Sequence, residues 1–155
     1  MSYDSMNDTL LHIGVVQKHL SIMIRELLDR AFRHDGSKLQ ELEKSMLDKY
    51  TPLLRDTTYG SDEYKQYLGE MGVGLSHHYE NNKHHPEHYP DGINGMTLID
   101  IVEMFCDWKS ATLRHADGDF LKSINHNKER FGLSPQLHQI FLNTARALNW
   151  IDGDE

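Results

Sequence analysis

Residues 7–32 read NDTLLHIGVVQKHLSIMIRELLDRAF. The apolar positions Leu10, Leu11, Ile13, Val16, Leu20, Met23, Ile24, Leu27, Leu28 and Ala31 are separated mostly by three or four residues. That spacing keeps one face of an α-helix apolar over about seven turns. The run contains no proline and one glycine, Gly14. A glycine inside a helix costs roughly 1 kcal/mol relative to alanine, so Gly14 is expected to mark a close approach. His12, Val16, His19 and Met23 share one stripe of this helix. Each of the two histidines has two readings there, a metal ligand or a core-rim side chain satisfied by a backbone carbonyl.

The rest of the chain reads as further helices with no alternating strand pattern. Gly36 is a break, and Ser37 is expected to cap a second helix over residues 38–49 that Pro52 ends or bends. Residues 56–60 read as a loop. Ser61 caps a third helix through Tyr64, Tyr67, Leu68, Met71 and Leu75, with Gly69, Gly72 and Gly74 either admitting a close neighbour or interrupting it. Pro86 disfavours helical geometry at His85, which stops this helix near Lys83. His77 and His78 then fall on its last turns, and His84, His85 and His88 fall in a loop reaching Gly95. A loop of about a dozen residues is long enough to suggest a functional role.

Thr97 caps a fourth helix whose apolar face is Leu98, Ile101, Val102, Phe105 and Trp108. Asp100, Glu103 and Asp107 line a neighbouring stripe, with Asp100 and Glu103 read as surface carboxylates. A fifth helix covers residues 117–131. Ser134, with Pro135 at the first helical position, starts a sixth that reaches Trp150. The expectation is a single all-α domain of about six helices over residues 1–155, with 152–155 a frayed tail.

Composition narrows the function. Lys and Arg are outnumbered 16 to 24 by Asp and Glu, for a formal net charge of −8, which disfavours nucleic acid or an anionic membrane as partner. With 38% hydrophobic and 26% charged residues the chain reads as soluble and globular. The single cysteine, Cys106, excludes an intramolecular disulfide and a cysteine-rich zinc site. Residues 1–8 carry Asp4 and Asp8 and lack the basic-then-apolar order of a signal peptide. No run approaches the roughly 18 apolar residues of a membrane span. The expected location is cytoplasmic.

The chemistry is carried by histidine. The chain has 11 of them, and His34-Asp35-Gly36-Ser37-Lys38 sets a neutral nitrogen beside an anionic oxygen, a pair suited to a transition ion. His77-His78, His84-His85 and His88 follow within twelve residues of one another. His88 reads as either a ligand or a residue orienting one, while His115, His126 and His138 follow no pattern.

The order of helix-borne His12, then His34-Asp35, then a distant Asp107 resembles the HD superfamily of metal-dependent phosphohydrolases. His34-Asp35-Gly36-Ser37-Lys38 is similar to the His-Asp-x-Gly-Lys segment of the HD-GYP branch, with Ser37 in place of glycine. The apolar run from Ile101 through Asp107 to Ala111 is similar to that branch's Asp-x-x-x-Ala segment. The Gly-Tyr-Pro signature is absent, so specificity for a cyclic dinucleotide does not carry over. The likeness spans residues 12–111 as short matches, and implies an HD-type fold with His12, His34, Asp35 and Asp107 as metal ligands.

The residues themselves suggest a second ion, held by His78 with His84 or His85 and bridged by Asp35. Two ions would clamp the attacking and leaving oxygens of a phosphoryl group. Lys38, one turn beyond Asp35, is placed to meet a substrate phosphate, with a solvated helix residue as its other reading. The expected activity is metal-dependent hydrolysis of a small phosphorylated molecule, a nucleotide being the first choice. The cofactor is one or two divalent ions of manganese, iron, cobalt, nickel or zinc. The rival readings are an HD-type di-iron oxygenase and a non-enzymatic binding protein stabilised by metal. The oligomeric state is open.

Overall fold

The computed structural model describes residues 3–58, 61–113 and 118–152. Among them the secondary structure is entirely helical, with seven α-helices and three short 3-10 turns. The chain divides into two compact units, Met1–His34 and Asp35–Glu155.

The first unit is built on α1 (Met6–Arg33), one residue longer at each end than the apolar spacing predicts. Its last turn carries Arg30 and Arg33, whose charges suit the negative end of the helix dipole. Arg30 pairs with Glu26 at 3.4 Å and Arg33 with Asp29 at 3.2 Å, both one turn back; such pairs add a few tenths of a kcal/mol each. Two expectations are corrected here. A Cβ at Gly14 would meet nothing within 4 Å, so no close approach explains that glycine. The stripe of His12, Val16, His19 and Met23 is exposed along its length, and no residue of α1 is buried.

The second unit begins with a tight 3-10 turn, Gly36–Leu39, in place of the expected helix start at Ser37. Then come α2 (Glu41–Arg55), α3 (Asp62–Glu70) and α4 (Gly72–Asn81). Pro52 sits inside α2 without ending it. It falls in the last turn, where its missing N–H deprives one carbonyl, that of Asp48, of a partner. The single helix expected from Ser61 is two, α3 and α4, joined at buried Met71. Ser61 caps α3 as expected, its Oγ accepting from the Tyr64 N–H at 3.1 Å. Of the three glycines only Gly74 admits a close neighbour, because a Cβ there would overlap the Met46 side chain of α2, whereas a Cβ at Gly69 or Gly72 would meet nothing within 4 Å. The glycine lets α2 and α4 approach.

Two further 3-10 turns, Pro86–His88 and Gly92–Gly95, carry the chain to α5 (Leu98–Thr112). Thr97 caps α5 in a reciprocal box: the Asp100 N–H donates to Thr97 Oγ1, and Asp100 Oδ2 accepts from the Thr97 N–H at 2.9 Å. Asp100 also accepts from Tyr89 Oη at 2.8 Å and is fully buried. This corrects its reading as a surface carboxylate. The bond fastens the loop to the start of α5. α6 (Phe120–Phe131) ends at Gly132, whose φ of 61° is the left-handed geometry glycine adopts freely. α7 (Pro135–Ala147) starts at the Ser134 cap as expected and stops before Trp150. Part of the expected loop at 59–60, the start of the fifth helix at Asp117, His115 and most of the tail lie outside the described residues.

The core of this unit lies between α5, α6 and α7. Met104, Phe105 and Trp108 pack with Phe120, Ile124, Leu133, Phe141 and Ala145. Phe105 stacks on Phe141 at a centroid distance of 5.0 Å and on Trp150 at 5.5 Å. Ile124 has no exposed surface, whereas Ile140 on α7 is half exposed. Ile124→Ala should therefore lower the unfolding free energy by about 2–5 kcal/mol, and Ile140→Ala by less than about 1 kcal/mol. Urea unfolding followed by tryptophan fluorescence measures both.

Candidate metal centre

The centre starts from a charge with no exposed surface. Glu43, in the first turn of α2, is fully buried. Its carboxylate can only accept, so its neighbours must be donors. His77 Nδ1 donates to Oε1 at 2.6 Å, and His78 Nδ1 donates to Oε2 at 2.8 Å. Ser37 Oγ also donates to Oε2, at 3.0 Å. Asn82 Nδ2 donates to Ser37 Oγ at 2.7 Å and to the His78 carbonyl at 2.8 Å. Burial pushes the Glu43 carboxyl up, but the bonds from His77, Ser37 and His78 together outweigh that and hold it below the ordinary range.

Protonation of His78 at Nδ1 leaves its Nε2 as the lone-pair nitrogen. That atom lies 2.8 Å from His85 Nε2 and 3.4 Å from Asp35 Oδ1. His84 repeats the arrangement. Its Nδ1 lies 3.2 Å from Glu103 Oε1, and its Nε2 lies 3.4 Å from Asp35 Oδ1. Glu103, read from sequence as a surface carboxylate, is thus drawn into the centre with 9% of its side chain exposed.

Asp35, His78, His84 and His85 each offer a ligand atom, all within 4.8 Å of one another. Donors about 2.0–2.1 Å from one ion stand roughly 3 Å apart along an octahedral edge and about 3.4 Å apart along a tetrahedral one. The separations of 2.8–3.4 Å fit donors of one ion. A ligating histidine must be neutral. His85 meets that condition, since burial first, and then His84 and His78, push it down to about 3, against the opposing charges of Asp107 and Asp35. His78 is lowered chiefly by burial, with the Glu43 bond working against it.

Backbone geometry aims Asp35 at this group. Its φ of 55° is a left-handed conformation that aspartate tolerates better than most residues. Lys38 folds back across the 3-10 turn, its Nζ 2.5 Å from Asp35 Oδ2, with 30% of the side chain exposed. His88 Nδ1 donates to the Tyr79 carbonyl at 2.9 Å, pinning the loop to α4.

Of the ligands expected from sequence, Asp35, His78, His84 and His85 come together within the second unit. Asp107 stands on α5 near enough for its charge to act on His85. His34 is the C-cap of α1 and the last residue of the first unit. His12 is exposed on α1 and joins no group of potential ligand atoms among the described residues. His138 bonds Asn125 at 2.9 Å, away from the cluster. Sequence reading missed Glu43, His77, Ser37, Asn82 and Glu103 as parts of the centre. The signal available for Glu43 was a carboxylate in a first helical turn, which more often faces solvent.

Fold and site together define an all-α protein with a buried histidine–carboxylate centre. Within that class the chain belongs to DUF5662, a family of unknown function whose model matches residues 1–147. No curated protein and no solved structure matches it. Among the described residues no helix is long and apolar enough to cross a membrane.

The centre should make the metal-free protein acid-sensitive. Between 6.5 and about 3 the unfolded chain binds a proton at His85 that the folded chain does not, so stability falls as pH falls through that window. Glu43, held low in the folded state, acts in the same direction at the acid end. Urea unfolding in the presence of chelator should show this loss below pH 6.5. His85→Asn should give a shallower slope; an unchanged slope would remove His85 as its source.

Proposed function

We propose that this protein is a metal-dependent phosphohydrolase acting on a small phosphorylated molecule, with a nucleotide the first class to test. The observation that carries the reading is the convergence of His78, His84, His85 and Asp35, with Glu43 and Glu103 behind two of the imidazoles. Carboxylates behind histidine rings fix the tautomer and raise the basicity of the ligating nitrogen. Nitrogen and carboxylate donors suit manganese, iron, cobalt, nickel or zinc. A bound ion of this kind acidifies water and draws charge from a phosphoryl oxygen.

The chain's own groups supply the remainder. Lys38 is a compact cation held beside Asp35 and partly open to solvent, so an arriving phosphate meets an ammonium already in position. Asp107 adds a carboxylate on the α5 side. His34 enters from its pairing with Asp35 in the sequence, and the likeness to the HD superfamily is part of the same proposal.

Purified protein should bind at least one transition ion by elemental analysis. His78→Ala and His84→Ala should lose most of it, and Glu43→Gln should weaken affinity by about 10–100-fold. A normal metal content in both histidine variants would overturn the site.

Lys38→Ala separates binding from turnover. It should keep its metal and lose roughly 10²-fold or more of phosphatase activity, because the lost cation faces charge that grows in the transition state. The assay is p-nitrophenyl phosphate followed by a nucleotide panel with added manganese, cobalt or nickel. Inertness of every metal-loaded form toward all phosphoesters would overturn hydrolysis. Oxygen uptake by the iron-loaded form would then favour oxygen activation at the same centre.

A further inference from the structure

α1 has a broad apolar face, exposed along its length. Ile13, Val16, Leu20, Met23 and Leu27 follow one another at three, four, three and four residues, with Leu10, Ile24 and Ala31 along one flank. Three apolar positions per heptad form a stripe wide enough to face a core. Yet Leu10, Ile13, Val16, Leu20, Met23 and Ile24 are each 38–61% exposed. Together they present on the order of 600 Å² of apolar surface, the top of the range for the largest patch on a typical monomer.

We propose that this face binds α1 of a second copy of the chain, antiparallel, about a two-fold axis near Leu20. Two such faces would bury about 1,200 Å², the lower edge of the range for specific, stable interfaces. The seam is self-complementary about that axis. Leu20 meets its own copy, Ile13 lies opposite Leu27, and Val16 lies opposite Ile24, so one stripe serves both partners as a closed two-fold contact requires.

Charge sets the direction. The N-terminal end carries Asp4 and Asp8, while at the C-terminal end Arg25, Arg30 and Arg33 outnumber Glu26 and Asp29. Antiparallel pairing brings each acidic end beside the partner's basic end and opposes the two helix dipoles. Parallel pairing would stack like charges at both ends.

The full chain should sediment at twice its 18.0 kDa mass at micromolar concentration. Leu20→Glu, at an exposed position, should return it to 18.0 kDa with its near-ultraviolet circular dichroism unchanged. Orientation is read by cross-linking in a Cys106→Ser background. Chains carrying Ile13→Cys mixed with chains carrying Leu27→Cys should form the mixed disulfide, and Ile13→Cys alone should not couple to itself. A monomeric wild type would overturn the proposal, whether α1 then binds lipid vesicles or nothing. A dimer that survives Leu20→Glu, or self-coupling of Ile13→Cys, would overturn it equally.

Discussion

The second unit depends on burying one carboxylate. Glu43 has no contact with water, and an uncompensated charge in that position would cost several kcal/mol. Its acceptors are satisfied by His77 and His78 from α4 and by Ser37 from the 3-10 turn. Those bonds form only if α2 and α4 pack in one register. Gly74 removes the Cβ that would collide with Met46 at that crossing. Packing and charge satisfaction are thus one constraint: the approach that lets the helices touch also brings the donors to the acceptor.

α5 divides the same unit by its two faces. Met104, Phe105 and Trp108 enter the aromatic core with α6 and α7. Glu103 and Asp107 stand toward the histidines. The loop between α4 and α5 is fastened near its middle to both helices, by His88 on the Tyr79 carbonyl and by Tyr89 on Asp100. His84 and His85 are therefore loop residues held by helices. Such support is what a site needs if its donors are to stay in place without a ligand to organise them.

Helix positions were largely legible because they rest on local rules. The apolar period of α1 and the caps at Ser61, Thr97 and Ser134 need no partner to be read. The errors came where a neighbour changed the outcome. Ser37 looks like a helix cap, but its hydroxyl goes to Glu43. Asp100 and Glu103 look like surface carboxylates, yet one is clamped by Tyr89 and the other stands behind His84. Pro52 looks like a stop and is tolerated because it sits in the last turn of α2.

By itself the sequence determined the all-helical class, the span of α1, the capped starts of α3, α5 and α7 and the residue types capable of holding a metal. These follow from periodicity, capping and side-chain chemistry, all of which act within a few residues. Only tertiary structure decided which histidines meet. His78, His84 and Asp35 are brought together from α4, a loop and the turn before α2, and the choice among eleven histidines rests on burial. A carboxylate taken out of water must find donors wherever the fold supplies them. That is why Glu43 and Glu103 came to hold the rings from behind, while His12, expected as a ligand from the family likeness, stands exposed on α1.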